Sequence, residues 1–130
     1  MPLLLLLLLT LSGCSESSEA KLIDSYLADS AAGTQSNALT GRALIAQQQA
    51  LALVTELGWS QSGSAKYSEL RVIEGGEVLF CLDVSDVSFF DTEGKRVELS
   101  RSIEHLLMRA RLLSSGHEKK IENLEEVGSC

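Results

Sequence analysis

The fold is decided by residues 67–84, which read YSELRVIEGGEVLFCLDV. In the first half of this stretch polar and apolar side chains alternate, with Leu70 and Val72 on one face, which is the period of a half-buried strand. The paired glycines Gly75-Gly76 accept the positive φ angles of a tight turn. In the second half, one face is formed by Val78, Phe80, Leu82 and Val84. The stretch therefore predicts an antiparallel hairpin.

Downstream of this hairpin the same period continues. A third strand is predicted over 86–90, a turn over 91–94, and a further strand over 95–99. Because each connection is short, consecutive strands are expected to pair. The sequence thus predicts an antiparallel meander of three or four strands.

Two helices are predicted before the sheet. The first covers 19–32, where apolar side chains recur at helical spacing, and it ends at Gly33. The second covers 37–57 and is rich in Ala, Leu and Gln, and Gly58 stands at its preferred end position. Trp59 is expected to fold back as the apolar partner of this helix end. The polar run Gln47-Gln48-Gln49 is interpreted as an exposed face.

A third helix is predicted after the sheet. Ser100 or Ser102 would cap it, and its apolar face would contain Ile103, Leu106, Leu107 and Ala110. It would end near 114–116, and residues 117–130 would form a charged tail or a short helix. The fold class is therefore α+β, with two N-terminal helices, a three- to four-stranded meander and a C-terminal helix. In outline this order resembles the NTF2-like and cystatin-like folds, although the first of those folds requires more strands.

The N-terminus carries a run of leucines over 3–9, followed by Leu11-Ser12-Gly13-Cys14. Such a run is too short for a membrane-spanning helix, which needs about 20 apolar residues. It matches the apolar region of a secretory signal, which is about 7–15 residues long. The segment resembles the signal peptide and lipobox of bacterial lipoproteins. It begins with Met1-Pro2 rather than a basic segment, which leaves the true start codon open.

The lipoprotein resemblance implies that the signal, 1–13, is removed and that Cys14 receives fatty acids such as palmitate. Two or more acyl chains suffice for stable attachment to a membrane. Ser15 in place of an aspartate implies the periplasmic face of the outer membrane. The tether 14–18 would reach about 15 Å at about 3.3 Å per residue. A single domain is expected over 19–116.

Charge narrows the classes of partner. The net charge is −7 and the sequence pI is about 4.8. Nucleic-acid binding requires a basic surface, so that class is excluded. Electrostatic docking on anionic lipid requires clustered Lys and Arg, so the lipid on Cys14 is expected to be the sole source of membrane attachment.

Besides Cys14, the chain contains Cys81 and Cys130. A periplasmic location permits a disulfide between them. Cys81 also lies within an apolar strand, where a free cysteine behaves as a small hydrophobic residue. Both interpretations stay open at the level of sequence.

The remaining polar residues do not form a recognisable catalytic or metal motif. His105 and His117 lack neighbouring ligands at metal spacing, and the serines lack a nucleophile-elbow motif, Ser62-Gly63-Ser64 being a plain linker. The nearest approach to an oxygen-rich cation site is formed by Asp83, Asp86, Asp91 and Glu93, without EF-hand spacing. A locally basic region is formed by Lys95, Arg96, Arg101, Arg109 and Arg111. We therefore expect neither an enzyme nor a metal or cofactor site.

Two functions remain after these exclusions. The first is a non-catalytic envelope lipoprotein that binds another envelope protein, as an accessory or assembly factor. The alternative is a module that binds a small molecule or lipid in a pocket between the sheet and the helices. An apolar cavity of several hundred cubic ångströms would favour the ligand, typically about 300–1,000 Å³. A filled core with a large exposed apolar patch would favour the protein partner.

Overall fold

The computed structural model describes residues 17–100 and 103–130. The predicted signal peptide, Cys14, Arg101 and Ser102 lie outside these residues. The class is α+β, as predicted, with two helices followed by antiparallel sheets. The elements are α1 (Ser18–Ala32), α2 (Gly41–Leu57), β1 (Ser60–Ser62), β2 (Lys66–Ile73), β3 (Glu77–Asp83), β4 (Ser88–Phe90), β5 (His105–Ser115) and β6 (Glu118–Ser129).

Both helices end where the glycines predict. Gly33 and Gly58 have φ angles of +72° and +68°, the left-handed conformation that ends a helix. After Gly58, the amide of Trp59 donates to the carbonyl of Val54 over 3.0 Å. Within the described residues, neither helix is both long and apolar enough to cross a membrane.

The start of α2 differs from the prediction, because residues 38–40 pair with β6 instead of joining the helix. The amide of Thr40 donates to the carbonyl of Ile121 over 2.8 Å, and the amide of Ile121 donates to the carbonyl of Ala38 over 2.7 Å. These bonds require an extended backbone. The helix therefore begins at Gly41 rather than at residue 37.

The main sheet has four antiparallel strands in the order β2-β3-β5-β6. The predicted hairpin forms its first half, and Gly75 and Gly76 have φ angles of +78° and +76° in the connecting turn. The pairing of β2 with β3 shifts register between Ser68 and Arg71. Glu69 lies in this irregularity with a φ angle of +55°, and it is the one non-glycine residue with positive φ in the described part of the chain.

The prediction of a C-terminal helix is wrong. Residues 105–115 form β5, which pairs with β3 on one side and β6 on the other. The side chains alternate: Met108 and Ala110 are buried, whereas Arg109 and Arg111 are exposed. The apolar residues at 106 and 107 are compatible with helical spacing. In the structure, however, burial along this segment alternates with the period of two that is typical of a strand. Most of the predicted tail, 117–130, is strand β6.

The predicted meander is also wrong in its third and fourth strands. The strand β4 leaves the main sheet and pairs with β1, a strand formed where the sequence indicated a linker. Residues 95–99 form no regular strand and contribute one isolated bridge, between Phe90 and Arg96. The neighbour of β3 is therefore β5, because the long β5–β6 hairpin offers more pairing than the three-residue β4.

The core lies between the helices and the inner face of the main sheet. Its buried members are Ile23, Leu39, Ala43, Val78, Phe80, Met108, Ala110 and Ile121. In the structure Cys81 and Cys130 form a disulfide, with Cα atoms 6.1 Å apart. This bond joins β3 to the residue that follows β6, and β5 lies between those two strands.

Candidate functional site

A cavity of about 650 Å³ lies between the helices and the sheets. Its walls are the last turns of α1, one face of α2, and the β1–β4 sheet. Met108 of β5 and Leu124 of β6 close it on the side of the main sheet. The volume lies within the range of ligand-binding pockets, which is about 300–1,000 Å³.

Small side chains on α2 create this space. Ala43, Ala46 and Ala50 recur at helical spacing and all line the cavity. Leu51 and Val54 flank them on the same face. A helix that packs fully against a sheet presents larger residues at these positions, so the alanines leave a gap between the layers. The alanine content also favours the helix itself.

Aromatic rings form another part of the wall. The turn after Gly58 brings Trp59 to the ring of Phe89, with centroids 5.9 Å apart and planes tilted by 44°. The pairing of Gln61 with Phe89 in the small sheet fixes this arrangement. A side chain at position 58 would overlap the methyl group of Thr92, so glycine is needed at this point. The small sheet thus serves to hold two aromatic residues at the cavity.

Gln47 lies in the wall and is 7% exposed, which corrects its interpretation as part of an exposed face. Its Oε1 accepts from the amide of Ser36 over 2.8 Å. Its Nε2 donates to the hydroxyl of Ser30 over 3.1 Å and to the carbonyl of Thr34 over 3.4 Å. Gln47 therefore ties α2 to the end of α1 and to the loop that follows.

Tyr26 contributes a phenol to the wall from α1. Burial raises the pKa of this phenol, and a hydrogen bond with Ser30 offsets the change in part. The phenol therefore stays neutral at physiological pH. It presents an apolar ring to the cavity and a polar end to the Ser30–Gln47 contact.

The cavity wall carries no charged side chain among the described residues that line it. Two of its polar side chains bond within the protein: the hydroxyl of Thr55 donates to the carbonyl of Leu51 over 2.9 Å, and Nε2 of Gln61 donates to the carbonyl of Gly63 over 3.2 Å. A charged ligand would lose its hydration here without gaining a counter-charge. The wall suits an uncharged and largely apolar molecule.

The candidates that the sequence singled out lie elsewhere. The carboxylate of Asp83 accepts from the amide and hydroxyl of Ser85 over 2.9 and 2.6 Å, and these bonds lower its pKa. His105 lies 3.6 Å from the same carboxylate. Asp91 accepts from two amides of its own turn, and Asp86 pairs with Lys66 at 3.3 Å. In the described ranges, these and other His, Cys, Asp and Glu residues form no group of three suited to a metal ion.

Two arginines of the basic region are neutralised by glutamates on the neighbouring strand. Arg109 on β5 is paired with Glu125 of β6, with its Nε 2.9 Å from Oε1. Arg111 lies 3.6 Å from Glu122 on the same two strands. Arg101 lies outside the described residues. Arg109 and Arg111 serve as cross-strand partners in the β5–β6 hairpin.

Sequence reasoning missed most of the cavity wall. The sequence predicts a pocket between the sheet and the helices but does not identify the residues that line it. The spacing of Ala43, Ala46 and Ala50 is the signal that could have located one wall. No sequence signal places Phe89 or Leu124 opposite them, because those contacts depend on the strand pairing.

Comparison with known proteins reveals similarity of the fold but not of the sequence. No protein-family model matches this chain. No match was found among curated proteins. The structure is similar to the crystal structure of the intermembrane space region of the chloroplast protein ARC6, with a TM-score of 0.58 and 12% sequence identity. The match covers 88% of this chain and 99% of that one. At this level of identity the likeness shows a shared fold alone.

Proposed function

We propose that this chain is a non-catalytic lipoprotein of the bacterial cell envelope whose domain binds an uncharged, apolar ligand. The observation that carries the proposal is the cavity of about 650 Å³ between α2 and the sheets, with uncharged walls. Ligand sites in proteins are typically concave and mostly apolar, with few polar groups. This cavity has each of those properties.

The walls also indicate how a ligand would be held. Trp59 and Phe89 offer aromatic faces, and Leu51, Val54 and Leu124 offer aliphatic surface. Burial of apolar surface contributes about 25 cal/mol per Å². The affinity for an apolar ligand would therefore come from the apolar surface that is buried on binding. A charge on the ligand would weaken binding, because the charge would lose its hydration.

The ligand proposal is tested by titration with N-phenylnaphthylamine, a neutral apolar fluorescent probe. Trp59 lines the cavity and is the single tryptophan of the chain, so its emission reports occupancy. Saturable probe binding that quenches Trp59 is expected. Ala50→Leu fills the cavity and is expected to weaken binding at least tenfold, about 1.4 kcal/mol or more.

The matched control is Ala52→Leu, on the same helix but outside the cavity wall. Its probe affinity should equal that of the wild type. Equal affinity of wild type and Ala50→Leu would show that the probe binds elsewhere and would contradict the proposal.

The location is a proposal that rests on the lipobox resemblance. Cys14, outside the described residues, would carry the acyl chains and hold the domain at the periplasmic face of the outer membrane. Radiolabelled palmitate should be incorporated into the wild type and not into Cys14→Ala. Equal labelling of the two would refute the anchor, while leaving the cavity proposal untouched.

A second candidate function, the binding of another envelope protein, is supported by the outer surface of α2. Ile45, Leu53 and Leu57 are 55%, 53% and 43% exposed, and they share the helix row 45-49-53-57 with the polar Gln49. Exposed apolar rows of this kind are used in helix-mediated contacts. A photo-crosslinker at position 53 should capture a defined protein in intact cells, and the substitution Leu57→Glu should abolish that capture. A crosslinker at Glu74, in the exposed turn between β2 and β3, is the control.

A further inference from the structure

Tertiary folding brings together basic residues that are far apart in the sequence. Lys21 of α1 lies with His117, Lys119 and Lys120 of the β5–β6 turn and β6 around a depression of about 590 Å³. Ser25 and Asn37 also line it. Since Lys21 and Lys120 are separated by most of the chain, the charge pattern of the sequence gives no sign of this group. We refer to Lys21, His117, Lys119 and Lys120 as the basic end.

The charges of the basic end are only partly neutralised. Lys119 pairs with Glu19, with Nζ 2.9 Å from Oε1. Lys21 and Lys120 take part in no ion pair with a described residue. One further carboxylate, Glu118, borders the depression. In a chain with a net charge of −7, the basic end therefore presents two unpaired lysines on one surface.

The basic end also coincides with the point where the chain leaves the described residues toward its N-terminus. Helix α1 begins at Ser18 and is capped by Ser17, whose hydroxyl accepts from the amide of Ala20. If Cys14 carries the lipid, only a few residues separate it from this helix. At about 3.3 Å per residue that span is roughly 13 Å. The anchor would therefore hold this end of the domain, rather than any other, against the headgroups.

We propose that the basic end docks on anionic phospholipid headgroups and so fixes the orientation of the domain on the membrane. The proposal rests on the lipid anchor proposed above. Charge complementarity supplies the attraction, because a lysine near an anionic bilayer gains a roughly fivefold preference for it. The two unpaired lysines act only when the tether keeps them within the range of that surface.

This orientation places the ligand cavity away from the bilayer. The cavity is lined by Ser30 to Gly33 at the far end of α1, whereas the basic end is at its beginning. From Lys21 to Ser30, a helix rises about 14 Å. The cavity would therefore exchange ligand with the aqueous compartment or with a partner, and not directly with the membrane.

The test uses the lipidated protein in vesicles and energy transfer from Trp59 to a dansyl-labelled headgroup. Trp59 lies at the cavity, so an upright domain keeps it far from the acceptor. In phosphatidylethanolamine vesicles that contain phosphatidylglycerol, transfer is expected to be low and to rise with salt, because salt screens the lysines. In vesicles of phosphatidylcholine alone, transfer should be higher and independent of salt.

The double variant Lys21→Gln and Lys120→Gln should show high transfer in both vesicles, as the preference for the upright state falls roughly 25-fold. The matched control, Lys95→Gln with Arg96→Gln, changes the charge equally on a distant exposed loop and should behave as the wild type. Inorganic phosphate at constant ionic strength should not mimic phosphatidylglycerol. If it did, the site would bind phosphate itself, and the membrane assignment would be overturned.

Failure of the orientation and failure of the anchor are distinguishable. If palmitate labels Cys14 but transfer is the same in both vesicles, the docking proposal is overturned and the anchor stands. If palmitate does not label Cys14, the anchor is overturned. Docking is then judged by sedimentation of the unlipidated mature chain with the two kinds of vesicle, and equal sedimentation overturns it.

Discussion

Gly63 shows how a single position depends on its surroundings. Its φ angle is +77°, and a Cβ atom would overlap the carbonyl oxygen of Asp86. Gly33 has nearly the same φ angle, +72°, but a Cβ atom there would meet nothing within 4 Å. Both glycines thus have a left-handed backbone, but only Gly63 lacks room for a side chain.

We therefore expect Gly63→Ala to lower the free energy of unfolding by about 2–4 kcal/mol, through both strain and overlap. Gly33→Ala should cost about 1 kcal/mol, through the left-handed backbone alone. Urea denaturation of the two variants measures the difference. If both variants lost the same free energy of unfolding, the segment around Asp86 would be able to move and accommodate the added methyl group at no energetic cost.

Gln47 and Gln48 are adjacent and chemically identical, but only Gln47 is buried. Replacement of Gln47 by Met keeps its shape and leaves the buried amide of Ser36 without its partner. We expect a loss of about 1–3 kcal/mol. Gln48→Met, which removes an exposed contact with Gln35, should change stability by less than about 0.5 kcal/mol. Thermal unfolding of both variants tests this comparison.

At the scale of elements, the long β5–β6 hairpin organises the main sheet. The disulfide between Cys81 and Cys130 fixes the end of β6 to β3 across β5. It closes a loop with a sequence separation of 49 residues. In the chain-entropy account such a loop stabilises the folded state by constraining the unfolded chain.

Replacement of both Cys81 and Cys130 by Ala should lower the free energy of unfolding by about 2–4 kcal/mol. Dithiothreitol should lower the Tm of the wild type and leave that of the double variant unchanged. A wild-type Tm that does not respond to reduction, with free thiols verified by alkylation, would contradict this expectation.

A second tie between elements joins the first turn of α1 to β6. The hydrogen bond from Lys119 holds the pKa of Glu19 below its usual value of 4.5. Because the pKa of Glu19 is lower in the folded state than in the unfolded state, the Lys119–Glu19 ion pair stabilises the protein at pH values above the unfolded pKa of Glu19. This stability is lost as the pH falls through the folded pKa.

Glu19→Gln should therefore destabilise the protein at pH 7 and have a smaller effect at pH 3. Urea denaturation at the two pH values measures the change. Glu118→Gln removes an equal charge at the start of β6, where no ion pair is lost, and should leave the stability at pH 7 nearly unchanged. A Glu19→Gln effect that is the same at both pH values would mean that the ion pair contributes nothing measurable.

At the scale of the whole molecule, the helical layer and the β1–β4 sheet border an open cavity whose volume is about 650 Å³. The domain thus keeps unfilled space next to a small core. Ligands that bind only the folded state raise its apparent stability, by about 2.7 kcal/mol at a hundredfold excess over Kd. Ligand binding in this cavity is therefore expected to raise the stability of the folded domain.

Ala50→Leu should raise the Tm of the free protein, since filling a cavity commonly contributes about 0.5–2 kcal/mol. The same variant should lose the further rise in Tm that N-phenylnaphthylamine gives the wild type. Ala52→Leu, outside the cavity wall, should keep that rise. Stabilisation by the probe that is equal in wild type and Ala50→Leu would place the probe outside the cavity.

The sequence alone determined the features that depend on neighbours along the chain. These are the ends of both helices at Gly33 and Gly58, the Gly75-Gly76 hairpin and the α+β class. Each follows from local backbone preferences or from periodicity within a short segment. The acidic charge and the lipobox resemblance are likewise local.

Only the tertiary structure decided the features that depend on distant neighbours. Residues 105–115 carry apolar spacing compatible with a helix, and pairing with β3 and β6 made them a strand. The burial of Gln47, the opposition of the α2 alanines to Phe89 and Leu124, and the meeting of Lys21 with Lys120 arise in the same way. The physical reason is that strand pairing and layer packing join residues far apart in the sequence, and local preferences are too weak to specify these contacts.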